Sequence, residues 1–150
     1  MRRNDGFTLI ELIVVIIILG LLAATAAPKF LNLQKEARAS TLKGVKGAME
    51  SASSLIYSKS VITGVENTAT SGVSVGSSTV TTAYGYPTAN AAGIVLALDM
   101  STGDWASGAS ATGWSVWPSS RATPAGCNVN YVGPGTAGAR PIITVTETGC

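Results

Sequence analysis

A long apolar run near the start of the chain constrains everything that this sequence can fold into. Seventeen of the twenty-one residues from 7 to 27 are apolar. As a helix, this segment would be about 31 Å long, which matches the hydrocarbon thickness of a bilayer. Arg2 and Arg3 precede it, so the positive-inside rule predicts a cytoplasmic N-terminus, with the rest of the chain outside the cytoplasmic membrane.

The helical pattern continues after Pro28 but becomes amphipathic, which predicts a second helical segment over residues 28–60. Its apolar residues recur at spacings of three and four: Leu42, Val45, Met49, Ala52 and Ile56. The residues between them predict a solvated face: Lys43, Lys46, Glu50, Ser53 and Lys59. The two segments together predict a rod roughly 80 Å long, too long for a 15.2 kDa chain to cover by itself. The apolar half is therefore expected to protrude and to be buried in lipid or among copies of itself.

Residues 61–150 predict a β-rich globular domain. Six of these ninety residues are charged and 37 are Gly, Ser or Thr, which indicates a neutral, polar and turn-rich segment. Runs rich in β-branched and aromatic residues predict five short strands, at 76–83, 94–98, 115–117, 127–132 and 142–146. Residues 67–78 fit a loop or a weak strand equally well. The predicted fold class is α+β, a long N-terminal helix whose amphipathic half packs on a small antiparallel sheet.

Composition argues against an enzyme and against a cofactor or metal site. The chain has no histidine, which removes the commonest general base and the commonest metal ligand. It has no P-loop or GxGxxG motif, and its net charge of +2 predicts no nucleic-acid partner. The acids of the last ninety residues are sparse, so a calcium site is not expected, although Asp99 and Asp104 are close enough in sequence to leave one open.

Glu11 is the unusual residue of the apolar run. A carboxylate inside a membrane helix costs about 2.5–3.5 kcal/mol on insertion scales, so a compensating charge is expected. Cleavage after Gly6 would create an α-amine on Phe7, one helical turn from Glu11. That amine could pair with Glu11 of the same chain or of a neighbouring chain.

The segment Gly6-Phe7-Thr8-Leu9-Ile10-Glu11 resembles the class III signal of type IV pilins and type II secretion pseudopilins. A six-residue leader, residues 1–6, is typical of the type IVa group. The resemblance implies that a membrane prepilin peptidase cleaves after Gly6 and N-methylates Phe7. It implies that Glu11 registers each incoming subunit against a growing filament. An ordinary secretory signal peptide, cut near residues 24–26, is the weaker alternative because Glu11 would lie in its apolar core.

Gly20 and Pro28 predict a weak point in the helix, because proline removes one backbone hydrogen bond and glycine loosens the turn. Resemblance to assembled type IV pili implies that the helix melts near residues 23–28 in the filament and stays helical in the single chain. The plain alternative is a kink tolerated in a membrane helix.

Cys127 and Cys150 are the two cysteines of the chain, and in an extracytoplasmic protein they predict a disulfide. Two free buried thiols are the alternative. The resemblance agrees with a disulfide, since many type IVa pilins close a C-terminal loop in this way. The aromatic residues Trp114 and Trp117 are predicted to fill the core, and Arg121 and Arg140 to be solvated.

The resemblance implies a major structural subunit of a type IV pilus that serves adhesion; the last third is most similar to the mannose-sensitive haemagglutinin pilins. Implied partners are further copies of the chain, the prepilin peptidase, an inner-membrane assembly platform with its ATPase, and an outer-membrane secretin. The precursor would be a single-pass inner-membrane protein and the assembled product a surface pilus. The main alternative is a type II secretion pseudopilin, which usually has a calcium-binding loop and no such cysteine pair. A membrane-anchored domain that never polymerises is the third.

Overall fold

A computed structural model describes residues 7–150 of the chain. The predicted leader, residues 1–6, lies outside the described residues. The chain divides into two compact units, of which the first ends at Ala37 and the second is Arg38–Cys150. The predicted boundaries at residues 27 and 60 stay predictions.

Helix α1 is a single element of 55 residues, Leu9–Thr63, which confirms the predicted long N-terminal helix. In the first unit the large apolar side chains of Phe7, of residues 9–22, of Phe30 and of Leu33 are 41–92% exposed. Within residues 7–150, α1 is the one helix that is long and apolar enough to cross a membrane. The exposed apolar side chains of this unit are Phe7, Leu9, Ile10, Leu12, Ile13, Val14, Val15, Ile16, Ile17, Ile18, Leu19, Leu21, Leu22, Phe30 and Leu33.

The second unit carries the C-terminal part of α1 and two antiparallel sheets. The three-stranded sheet has the order β1-β2-β3, with β1 Ser71–Val75, β2 Ser78–Ala83 and β3 Tyr86–Pro87. The four-stranded sheet has the order β4-β5-β6-β7, with β4 Trp105–Ala109, β5 Trp114–Pro118, β6 Asn128–Val132 and β7 Ile142–Thr146. The fold is α+β, as predicted, although the strands form two sheets rather than one.

The predicted apolar stripe of α1 forms the floor of the core. Leu42, Val45, Met49 and Ile56 are all buried. Ser53, which was predicted to be solvated, is also buried, so that prediction was wrong. Position 53 lies four residues after Met49 and three before Ile56, which places it on the same helical face. A small hydroxyl fits there where a lysine would not.

Tyr131 of β6 is fully buried and joins the two sheets. Its hydroxyl donates a hydrogen bond of 2.8 Å to the carbonyl oxygen of Pro87 in β3. Burial raises the pKa of the Tyr131 hydroxyl above its usual value, so the neutral, donating form is the stable one. Around it, Val116 and Val129 are buried in neighbouring strands.

The predicted strand at 94–98 is wrong, because the chain is helical there. A π-helical stretch, Ala91–Val95, leads directly into the short helix α2, Leu96–Leu98. The side chain of Asn90 caps this start by accepting a hydrogen bond of 2.8 Å from the Gly93 amide. A Cβ on Gly93 would lie 2.1 Å from the carbonyl oxygen of Thr88, so glycine is required at this position. A short apolar run alone does not distinguish a strand from a buried helical segment.

Strands β1, β3 and β4 were not predicted. Residues 67–78, left open between loop and strand, contain β1, which pairs with β2 in antiparallel register. Strand β4 has the sequence Trp-Ala-Ser-Gly-Ala, whose alanines and glycine are poor strand formers. It forms because β5 pairs with it over its full length, and the side chain of Trp117 lies against Gly108.

Trp114 and Trp117 are half-buried at the edge of the core rather than filling it, so that prediction was only partly right. The indole nitrogen of Trp117 donates to the carbonyl oxygen of Arg121 at 3.2 Å. Arg121, which was predicted to be solvated, is half-buried and donates to the carbonyl oxygen of Ala125 at 3.4 Å. Arg140 is exposed, as predicted.

A disulfide joins Cys127 to Cys150, as predicted, and buries both residues. It secures the segment that follows β7. Two polar contacts hold the same segment on α1, because the guanidinium of Arg38 donates to the carbonyl oxygen of Cys150 at 3.0 Å and Lys43 forms an ion pair with Glu147 at 3.1 Å. The disulfide and these two polar contacts therefore together hold the segment after β7 in place.

Replacing Cys127 and Cys150 with serine is expected to lower the free energy of unfolding by about 3 kcal/mol, because the open loop restores entropy to the unfolded chain. Urea denaturation followed by tryptophan fluorescence measures the change. Wild-type protein treated with a reductant serves as the control and should unfold at the same urea concentration as the double variant. A double variant as stable as the oxidised wild type would contradict the prediction.

Candidate functional site

The polar groups at the start of α1 form a reciprocal hydrogen-bonded cap. The Thr8 amide donates to the Glu11 carboxylate oxygen Oε2 at 2.8 Å, and the Thr8 hydroxyl donates to the same oxygen at 3.0 Å. In return the Glu11 amide donates to the Thr8 hydroxyl oxygen at 3.3 Å. Threonine followed three residues later by glutamate is a capping box, which satisfies amide groups that the first helical turn leaves without partners.

This cap explains how a single chain accommodates Glu11. Both residues are exposed, and within residues 7–150 the second carboxylate oxygen, Oε1, has no hydrogen-bond partner. The carboxylate also lies at the positive end of the helix dipole, which stabilises negative charge. Glu11 is therefore held in one orientation while keeping an oxygen available for a further donor.

The proposed processing point adjoins this cap. Phe7 precedes Thr8 and is 92% exposed, whereas Gly6 lies outside the described residues. Phe7 and Glu11 are separated by four positions, with Thr8 bonded to the carboxylate between them. An amine created at Phe7 would therefore start close to the Glu11 carboxylate.

The helix runs without interruption through Gly20 and Pro28. A Cβ built on Gly20 would meet nothing within 4 Å, so nothing in this chain requires glycine there. Thr25 lies between them and its hydroxyl donates to the carbonyl oxygen of Leu22 at 3.0 Å, a local bond that competes with the helical pattern. Melting of this segment in a filament stays a prediction.

The cap is the functional feature that the sequence reasoning missed. A counter-charge and a registration role were predicted for Glu11 but the cap was not, although threonine, two residues and then glutamate before an apolar run is a recognisable helix start. Elsewhere, no group of three or more metal-ligating side chains is found in the part of the chain that the structure describes, and Asp99 and Asp104 form none.

The start of the chain is similar to known proteins. A family profile described as "Prokaryotic N-terminal methylation motif" matches residues 1–27. The chain is 42% identical over 57 residues to the type IV major pilin protein PilA of Myxococcus xanthus, covering 38% of this chain and 26% of that protein. No solved structure matches the chain.

Two further relatives differ in the assembly that their names describe. The type IV narrow pilus major component PilA5 of Thermus thermophilus is 44% identical over 50 residues, or 33% of this chain and 43% of that protein. The type II secretion system core protein G of Pseudomonas aeruginosa is 44% identical over 43 residues, or 29% of this chain and 30% of that protein. The matched regions span less than half the length of each relative.

Replacing Glu11 with glutamine should preserve the cap, because glutamine also serves in a capping box. Glu11→Ala should remove the bonds from Thr8 to the carboxylate and leave only the bond from the residue 11 amide to the Thr8 hydroxyl. Hydrogen exchange at the amides of residues 8–11, measured on the full chain in detergent micelles, reports the difference. We expect Glu11→Ala to weaken protection by a factor corresponding to about 1 kcal/mol. Equal protection in both variants would show that the cap does not form in solution.

Proposed function

Starting from a type IV pilin-like chain, we propose that this protein is the major structural subunit of a type IV pilus, a surface filament that serves adhesion. The observation that carries the proposal is the methylation motif over residues 1–27 joined to an exposed apolar helix surface. Two relatives named as a major pilin and as a major pilus component support it. No catalytic role is proposed.

The apolar surface must be kept from water both before and after assembly. The large apolar side chains of residues 7–22, of Phe30 and of Leu33 are at least 41% exposed in the single chain. Each such side chain gains about 1.5–3 kcal/mol on transfer from water to an apolar setting. In the precursor that setting is the membrane, and in the filament it is provided by the same segment of neighbouring copies.

Glu11 supplies the register of assembly. Packing that buries an unpaired carboxylate is strongly unfavourable, whereas a carboxylate paired with an amine is tolerated. After cleavage, the methylated amine of Phe7 on an incoming subunit pairs with Glu11 of a subunit already in the filament. The available Oε1 atom accepts this donor without breaking the bonds between Thr8 and Oε2.

The proposed route of assembly takes the N-terminal part of α1 from the membrane into the filament. The precursor lies in the inner membrane with its N-terminus in the cytoplasm. A prepilin peptidase cuts after Gly6 and methylates Phe7, and an assembly platform with an ATPase then draws the subunit into a filament that passes through a secretin. In the filament, α1 unwinds near residues 23–28, between Gly20 and Pro28, which allows closer packing of the rods.

A second candidate is a type II secretion pseudopilin, which forms a periplasmic pseudopilus. The similarity to the core protein G of Pseudomonas aeruginosa favours it. The disulfide between Cys127 and Cys150 favours the pilus, because the cysteine pair is typical of type IVa pilins and unusual in major pseudopilins. The two candidates predict different locations for the same kind of polymer.

Mass spectrometry of the N-terminus is expected to show a mature chain that starts at N-methylated Phe7, because the motif supplies the peptidase site. Deleting the prepilin peptidase should leave the six leader residues in place. A chain that starts near residue 27 would instead identify an ordinary secretory signal peptide and contradict the proposal.

Glu11→Gln is expected to abolish filaments while leaving membrane insertion intact, because it removes the charge and keeps the cap. The measurement compares the chain recovered by shearing intact cells with the chain in the membrane fraction. Glu11→Asp, which keeps the charge on a shorter side chain, serves as the matched control and should retain more assembly than Glu11→Gln.

The location of the wild-type polymer decides between the two candidates. Recovery in sheared surface filaments supports the pilus. Recovery only in a periplasmic polymer whose loss blocks protein secretion would identify the pseudopilin. Normal filaments from Glu11→Gln would show that the carboxylate has no role in registration.

A further inference from the structure

Three exposed charges of the second unit have no partner among the described residues. In the second unit the basic residues of α1 are engaged. Lys43 pairs with Glu147 at 3.1 Å and Lys46 with Glu50 at 3.8 Å, while Arg38 and Lys59 donate to backbone carbonyl oxygens. Arg140, Asp99 and Asp104 make no ion pair or side-chain hydrogen bond within residues 38–150. One free cation and two free acids therefore face solvent.

Arg140 lies in a groove of about 490 Å³ whose floor is α1. Hydroxyl groups line the floor at Ser53, Ser54 and Ser58. Tyr57 and Tyr86 form one wall as a stacked pair, with ring centroids 4.5 Å apart. Glu50 also lines the groove and is engaged with Lys46. The Ser58 hydroxyl already donates to the carbonyl oxygen of Ser54 at 2.9 Å, and Ser53 is buried. The groove therefore offers a free guanidinium, the Ser54 hydroxyl and a flat aromatic surface to an acidic, polar segment.

Asp99 and Asp104, the two free acids, stand at the two ends of an acidic, polar segment of this kind. Residues 99–104 read Asp-Met-Ser-Thr-Gly-Asp, and five of the six are exposed. Asp99 ends α2 in a left-handed conformation, with φ of 47°. The Asp104 and Trp105 amides both donate to the carbonyl oxygen of Ser101, at 3.3 and 3.1 Å, which makes the loop a compact turn. This acidic loop, residues 99–104, carries two acids; Met100 packs against the core, and the residues from Ser101 to Gly103 are small and exposed.

The groove and the acidic loop lie at opposite corners of the four-stranded sheet. The loop leads into β4, one edge of the sheet, whereas Arg140 precedes β7, the other edge. The register also separates them along the strands, because Trp105 lies at the end of the sheet that holds Asn128 and Thr146, and Ile142 pairs with Val132 at the other end. With strands about 4.8 Å apart and five residues long, the corners are roughly 20 Å apart.

We propose that the acidic loop of one copy docks in the Arg140 groove of a second copy, an inference that rests on the proposed polymer. Arg140 pairs with Asp104 of the neighbour, and the exposed Ser54 hydroxyl donates to the loop. Opposite charges on separate corners favour pairing between copies and exclude pairing within one copy. Such a contact joins different surfaces, so when it repeats with a rotation that does not close it gives an open helical array, as the proposed polymer requires.

Cysteine crosslinking tests the contact wherever the polymer is located. The native cysteines are closed in a disulfide, so Arg140→Cys and Asp104→Cys introduced together are the thiols that react with a short bismaleimide. We expect intact cells to give a ladder of multimers from the double variant and no ladder from either single variant. The absence of a ladder from double-variant cells that contain polymer would overturn the inference.

Charge reversal tests the pairing itself. Like charges at a contact are strongly unfavourable, so Arg140→Glu is expected to lower polymer recovery at least about tenfold. Adding Asp104→Arg to the same chain should restore it. Lys59→Glu reverses a cation outside the groove, whose amine contacts the carbonyl oxygen of Ser74 at 3.4 Å, and should leave recovery unchanged. Near-UV circular dichroism and the intact disulfide establish that each variant is folded.

The outcomes separate this inference from the proposed function. A ladder without surface filaments would refute the pilus and support the contact. Surface filaments without a ladder, or with unchanged recovery of Arg140→Glu, would refute the contact and leave the pilus intact. Loss in Arg140→Glu that Asp104→Arg does not restore would also refute the pairing.

Discussion

Both sheets of the second unit depend on one buried face of α1. Leu42, Val45 and Met49 enter the core shared with the four-stranded sheet, and the helix continues past Tyr57 to contact the three-stranded sheet at Tyr86. The Tyr131 hydroxyl then connects the sheets through Pro87. Because short strands of this kind are marginal alone, a single helical face is what makes them stable together.

The same helix carries a second apolar surface that this chain leaves uncovered. Residues 9–22 expose large apolar side chains all around the helix, and such a surface is stable only in lipid or against other helices. Glu11 limits the ways in which this surface can be covered, because its carboxylate must keep a hydrogen-bond donor in any apolar environment. The cap with Thr8 supplies one inside the chain, and the free oxygen leaves room for one from outside. These features together favour an ordered polymer over a disordered aggregate.

Sequence reasoning succeeded where the pattern was local or long. The helix, β7 and the disulfide were all predicted, since periodicity, β-branched runs and paired cysteines carry their own information. It failed where contacts with other segments of the chain decide the local structure. Residues 91–98 became helical because the Asn90 side chain and the Thr88 carbonyl shape the turn around Gly93, and β4 forms because β5 and Trp117 lie beside it. At the site, Glu11 was found from its charge, but its cap with Thr8 was overlooked.

The sequence by itself determined that this chain has an apolar rod with one internal carboxylate, an amphipathic continuation and a cysteine pair that closes its end. These are properties of neighbours along the chain, so they can be read without coordinates. Only the tertiary structure decided that Ser53 is buried and that Arg140 and Tyr57 line the same groove. It also decided that the acidic loop lies at the corner of the four-stranded sheet opposite to that groove. Strand order and register bring together or separate residues that are distant in sequence, and no local pattern encodes that pairing.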